Sequence, residues 1–129
     1  LVPRIFKKEP LAAKPYIMQW IHADSLWLVR IALVNLISLY TDELFDDETM
    51  REAATVAIAQ QDTLSDEYYL NMALAWYLSM CVVKHPEAGI TFLSEQTLPR
   101  WVHNKTLQKI RESRLCSAEL KAKTQSLKR

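Results

Sequence analysis

Only one glycine, Gly89, occurs in the 129 residues of this chain. Tight two-residue hairpins need positive φ and recruit glycine to supply it, so a sheet-rich fold built on such turns is nearly excluded. The same scarcity leaves no glycine-rich loop to cradle a phosphate or a dinucleotide. Half of the residues are apolar and 24% are charged, an ordinary balance for a soluble domain with one core. The expectation is an all-α chain forming a single domain over residues 1–129.

Apolar spacing and local punctuation divide that chain into helices. Leu1 to Lys8 reads as the remainder of a helix that Pro10 ends. Pro15 suits the first position of a helix Pro15 to His22, and Asp24 or Ser25 caps the next, Leu26 to Leu39. Further helices are expected over Asp47 to Gln60, Asp66 to Lys84 behind Ser65, Pro86 to Glu95, Asn104 to Glu112, and Ala118 to Leu127 behind Ser117.

Three of these stretches can be laid over one another. Trp27-Leu28-Val29-Arg30-Ile31-Ala32-Leu33 aligns with Tyr68-Tyr69-Leu70-Asn71-Met72-Ala73-Leu74, and then with Asn104-Lys105-Thr106-Leu107. Arg30, Asn71 and Asn104 share one column, and Ala32, Ala73 and Thr106 another. The offsets are 41 and 33 residues, and each copy follows a shorter helical pattern. Helix pairs of that length are the unit of HEAT-like repeats. The expected architecture is therefore an α-α superhelix, a short right-handed solenoid in which one helix of every pair lines a shared concave surface.

Several function classes drop out. The longest apolar stretch, Leu26 to Tyr40, is broken by Arg30 and Asn35 and is short for a bilayer, so no membrane partner is expected. Cys81 lies in an apolar helical run and Cys116 near a helix start, without CxxC spacing. Both read as buried thiols in a reducing compartment. His22, His85 and His103 are scattered and form no metal or triad signature. No metal and no cofactor is expected.

Charge is uneven along the chain although the net charge is only +1. From Asp42 to Glu67 there are nine acidic residues against Arg51 alone, and from Arg100 to Arg129 nine basic residues against two acidic ones. One reading is a solvated acidic helix and a solvated basic tail. The other places Arg100, Lys105, Lys109, Arg111 and Arg114 near the concave face as phosphate contacts, with Lys105 and Lys109 on one side of their helix.

The segments Asp24 to Leu33, Asp66 to Trp76 and His103 to Ser113 together resemble the C-terminal half of bacterial DNA alkylation-repair proteins of the AlkD type, over Tyr16 to the chain end. The resemblance implies a DNA glycosylase of HEAT-like repeats that hydrolyses the base–sugar bond of positively charged N3- or N7-alkylated purines in duplex DNA. The charged base is already an activated leaving group. Catalysis then amounts to stabilising a cationic sugar with a carboxylate and aromatic faces.

By position, the resemblance implies that Arg30 contacts backbone phosphate and that Trp76 packs against the deoxyribose. Tyr68, Tyr69 and Asn71 would line the groove, and Trp27 would be a packing residue at its helix start. On the residues alone, Trp76 reads as core, and Arg30, a charge between Val29 and Ile31, must reach solvent, a partner or a ligand, with a structural ion pair as the main alternative. The family's catalytic aspartate belongs to a Trp-and-Asp motif that this chain does not carry. None of Asp24, Asp42, Asp46, Asp47, Asp62 or Asp66 occupies that position. The chain is accordingly expected to be the C-terminal part of a longer fold without full activity, to reside in the cytoplasm with the nucleoid, and to dimerise through an exposed N-terminal edge. A DNA-binding module without catalysis and a protein-binding scaffold are the alternatives, the latter requiring an apolar or acidic concave surface.

Overall fold

The computed structural model describes residues 3–60 and 67–129, and all regular structure among them is α-helical. In chain order the helices are α1 (Arg4–Lys8), α2 (Pro10–Ile21), α3 (Leu26–Leu39), α4 (Asp47–Gln60), α5 (Glu67–Lys84), α6 (Pro86–Ser94), α7 (Arg100–Glu112) and α8 (Ala118–Gln125). Ser65 and Asp66, expected to open α5, lie outside the described residues.

Two helix starts differ from the sequence expectation. Helix α2 begins at Pro10, where a missing N–H costs nothing, and Pro15 lies inside it. The hydrogen bond that Pro15 cannot give would have gone to the carbonyl of Leu11, an exposed residue whose backbone water can serve. Helix α7 starts at Arg100 rather than Asn104, because Pro99, extended at φ −55° and ψ 144°, is its N-cap. Ser25, not Asp24, caps α3 by accepting from the Leu28 amide at 3.4 Å, and Ser117 caps α8 at 3.1 Å.

Helix α5 is the hub, packing against α3 and α7 as well as α4 and α6. Its aligned columns explain how. Val29, Leu70 and His103 are buried, as are Ala32, Ala73 and Thr106, then Leu33, Leu74 and Leu107, then Leu36, Tyr77 and Ile110. Each set follows an i, i+3, i+4, i+7 stripe, which turns one face of its helix into the core. One buried cluster runs from Phe6 in α1 to Cys116 before α8. Both cysteines are buried, and burial pushes the Cys81 thiol up to about 12.

Helix α6 departs from the expected pairing, since it packs on α5 while α8 covers α7. The cause is the one glycine. A Cβ on Gly89 would lie 2.6 Å from the Val82 Cα, so α6 can cross α5 this closely only where no side chain intervenes. The segment after Ser117 also packs. Gln125 Nε2 donates to the Leu107 carbonyl at 3.0 Å, and Asn104 exchanges hydrogen bonds with the Arg129 backbone at 3.0 and 2.9 Å.

The acidic stretch is tied down by ion pairs. Asp42 meets Lys84 at 2.6 Å, Asp46 meets Lys14 at 3.4 Å, and Arg51 bridges Asp47 at 2.9 Å and Glu95 at 2.8 Å. Each is partly exposed and contributes at most about 1 kcal/mol. Their effect is to take those carboxylates away from other roles.

Two stability predictions come from this packing. Gly89→Ala should cost about 1–3 kcal/mol, because the obstruction is backbone rather than a flexible side chain. An unchanged denaturant midpoint would show that α5 and α6 are not in such close contact. The second concerns His103, fully buried in α7, whose Nε2–H donates to the Leu127 carbonyl at 2.9 Å while Nδ1 has no partner. Burial, chiefly, holds its pKa below 6.5, opposed by the Leu127 bond and aided by Arg129. Folding thus favours the neutral ring, so this stability is fully present above pH about 6.5 and declines as pH falls from there toward the folded value. The Asp46 and Glu95 carboxyls, whose pKa values are also lowered, act only in a more acidic range. Melting temperature should fall from pH 7 to pH 5 in the native chain and fall less in His103→Gln; equal falls would remove His103 as the cause.

Candidate nucleic-acid interface

The three aligned helices do more than share a core. One turn before the column of Arg30, Asn71 and Asn104 stands a column of aromatics, Trp27, Tyr68 and Trp101. Their relative exposures are 59%, 57% and 44%, and Tyr69 beside them is 53% exposed. Large apolar rings are ordinarily withdrawn from water, so a repeated exposed position is informative. Trp27 was expected to pack at its helix start, and its exposure corrects that reading. The buried stripe begins two residues later at Val29, so helix geometry turns position 27 outward.

These rings and two cations form one row across α3, α5 and α7. The Arg30 guanidinium lies 5.7 Å from the Trp27 ring centre and 5.5 Å from that of Tyr69. Tyr69 meets Tyr68 edge-on at 5.4 Å, and Tyr68 meets Trp101 at 6.1 Å. Lys105 Nζ closes the row 5.8 Å from the Trp101 ring. Each cation thus sits over a negative ring face, an attraction worth about 0.5–1 kcal/mol at exposed sites. Among the described residues no carboxylate pairs with Arg30 or Lys105. The ion-pair alternative for Arg30 is replaced by a place between two rings.

Two clefts border α7, the first of them at the Trp101 end of this row. The first, of about 420 Å³, is lined by Arg100, Trp101, Asn104, Lys105, Leu107, Gln108, Arg111, Gln125 and Lys128. It gathers four cations and no acid. The second, of about 290 Å³, lies between α5 and α7 and is lined by Trp76, Ser79, Met80, Val83, Lys109, Glu112 and Ser113. Trp76 is 46% exposed and therefore not core.

The residues anticipated from sequence are divided between these places. Lys105 and Arg111 share the first cleft with Arg100, whereas Lys109 lines the second beside Trp76. Lys105 and Lys109 are neighbours on one helix but line different clefts. Asn71 is half-buried on α5, and Arg114 is exposed beyond the end of α7, lining neither cleft. Asp24 is exposed, Asp42, Asp46 and Asp47 are held in ion pairs, and Asp62 and Asp66 lie outside the described residues.

Trp101, Lys128 and Glu112 were not anticipated as site residues. Trp101 had a usable signal: carrying the three-way alignment back by three positions puts it in register with Trp27 and Tyr68. Glu112 had none, since its proximity to Trp76 arises only when α5 packs on α7. Among the described residues no helix is long and apolar enough to cross a membrane.

A family model described as DNA alkylation repair enzyme matches residues 1–110. That match reaches further upstream than the resemblance starting near Tyr16 and stops short of α8. No curated protein and no solved structure matches the chain.

Proposed function

The chain belongs to the DNA alkylation repair enzyme family, and we propose that its α3, α5 and α7 face grips duplex DNA carrying positively charged N3- or N7-alkylated purines. The observation that carries this reading is the distribution of charge. Arg30 and Lys105 stand in the row and Lys105, Arg111, Arg100 and Lys109 in the two clefts, while Asp42, Asp46 and Asp47 are held in ion pairs within the fold. A surface of that kind suits a polyphosphate and is not the apolar or acidic surface that the protein-scaffold alternative requires.

In this reading the chain is a short right-handed superhelix of HEAT-like pairs of the AlkD type, with α3, α5 and α7 lining its concave side. Arg30, Lys105, Lys109 and Arg111 hold phosphates, Trp76 packs on the deoxyribose, and Tyr68, Tyr69 and Asn71 line the groove. Hydrolysis of the base–sugar bond expels a neutral purine from a cationic nucleoside and leaves positive charge on the sugar. The Trp76 ring and a carboxylate are the groups suited to stabilise that charge. Glu112 is the carboxylate that the Trp76 cleft contains. No aspartate here occupies the Trp-and-Asp motif of the AlkD type, so excision by this polypeptide should be far slower than by a member carrying it. A homodimer would use the exposed Ile5 and Leu11 of the N-terminal edge.

Binding is tested by fluorescence anisotropy with a duplex bearing an abasic-site analogue. Affinity should fall with salt at a log–log slope of about 0.9 per phosphate contacted, and an Arg30→Ala, Trp76→Ala double variant should bind at least ten-fold more weakly. Salt-insensitive binding, or none, would reject a DNA-gripping face. Release of 7-methylguanine at a rate comparable with that of a relative carrying the Trp-and-Asp motif would overturn the expectation of weak excision.

A further inference from the structure

The aromatic row offers something that a duplex has no use for. In paired DNA both faces of every base are covered by neighbouring bases, and a protein meets base edges and phosphates. Only an unpaired base has a face to lay on an aromatic ring. Trp27, Tyr69, Tyr68 and Trp101 nonetheless form an unbroken sequence of exposed rings across three helices, with separations of 5.4 Å and 6.1 Å where ring meets ring and Arg30 bridging Trp27 to Tyr69.

We propose that this row is a stacking platform for a single DNA strand with unpaired bases, running from Trp27 on α3 to Trp101 on α7. Sequence-independent single-strand grooves combine successive aromatic faces with cations that follow the backbone. Both components are present. Arg30 sits within the row between Trp27 and Tyr69, Lys105 sits at its α7 end, and the four-cation cleft continues beyond Trp101. The spacing decides how bases would lie. Stacked bases are about 3.4 Å apart, so inserting one between two rings requires about twice that separation. The row's rings are 5.4 and 6.1 Å apart and stand at 83° and 60° to one another, so no two of these neighbours present parallel faces with room for a base between them. Bases therefore lie on the outward ring faces rather than between rings, with no sequence preference.

The platform rests on DNA as the partner but not on base excision, and it adds a second substrate form: the strand exposed at a gap, a frayed end or an opened lesion site. It also makes Trp27 and Trp101 base-binding residues, whereas in the duplex reading they only hold Arg30 and Lys105 in place.

The test compares three probes of equal length at one salt concentration: oligothymidylate, the same sugar–phosphate strand with every base removed, and a thymidine–adenine duplex. Oligothymidylate should bind at least ten-fold more tightly than the baseless strand and quench tryptophan fluorescence. Trp27→Ala and Trp101→Ala should each weaken oligothymidylate about five- to ten-fold and duplex clearly less, since a duplex loses only the ring that holds Arg30 or Lys105 in place, and Trp27→Tyr should restore binding. Circular dichroism melts of each variant identify any loss due to unfolding, and the tyrosine variant then carries the comparison. Equal affinity for the strands with and without bases, or parallel losses on strand and duplex, would overturn the platform and leave the duplex reading standing. Base-dependent strand binding without duplex binding would support the platform and reject the duplex reading.

Discussion

The close packing of α5 against α3 and α7 is the constraint on which everything else depends. Three helices can lie side by side only where their facing positions stay small or well fitted, and the buried column of Ala32, Ala73 and Thr106 supplies small residues at that level in all three. Around it the Leu33, Leu74 and Leu107 column fills the core. Because helix geometry links each position to its neighbours at fixed angles, burying these columns forces others outward together. Trp27, Tyr68 and Trp101 stand in one row because Val29, Leu70 and His103, two residues further on, are buried in another.

That linkage explains why the interface is both aromatic and cationic. A ring 44–59% exposed gives up hydrophobic stabilisation. Part of that loss is offset when a guanidinium or ammonium covers the ring face, as Arg30 and Lys105 do. The cations benefit in turn, since each is held in place without a carboxylate that would neutralise it. Elsewhere the opposite rule holds: Arg51, Lys14 and Lys84 meet acids and serve to join helices. The distinction between structural and available cations is therefore made by partner type rather than by position in the chain.

The helical class and the buried columns were legible in the sequence because both rest on periodicity, which survives without knowledge of tertiary contacts. The exposure of Trp76 was not legible from the residues, which alone read it as core; only the family resemblance made it a candidate. Three further features were not legible. The start of α7 was placed late because Arg100 and Trp101 follow Pro99, and a helix whose N-cap is proline lacks the usual Ser, Thr or Asp signal. The packing of α6 on α5 was hidden because it depends on one glycine against one valine, Gly89 and Val82, eight positions of chain that carry no periodic mark. Separation of Lys105 from Lys109 followed neither charge nor spacing, being set by what packs beside each: α8 and its tail for one, α5 for the other.

The two clefts divide the chemistry as well as the lysines. The one beside α8 combines four cations and three amides with Trp101 and Leu107 and contains no acid, a setting suited to an anion. The one between α5 and α7 sets an indole, an ammonium and a carboxylate within a few residues of one another, and only there does the face offer negative charge. A backbone phosphate is repelled by Glu112, whereas a cationic sugar or an alkylated purine is attracted by it and by the Trp76 ring. The two settings lie on different sides of α7, since Arg111 lines one cleft and its neighbour Glu112 the other.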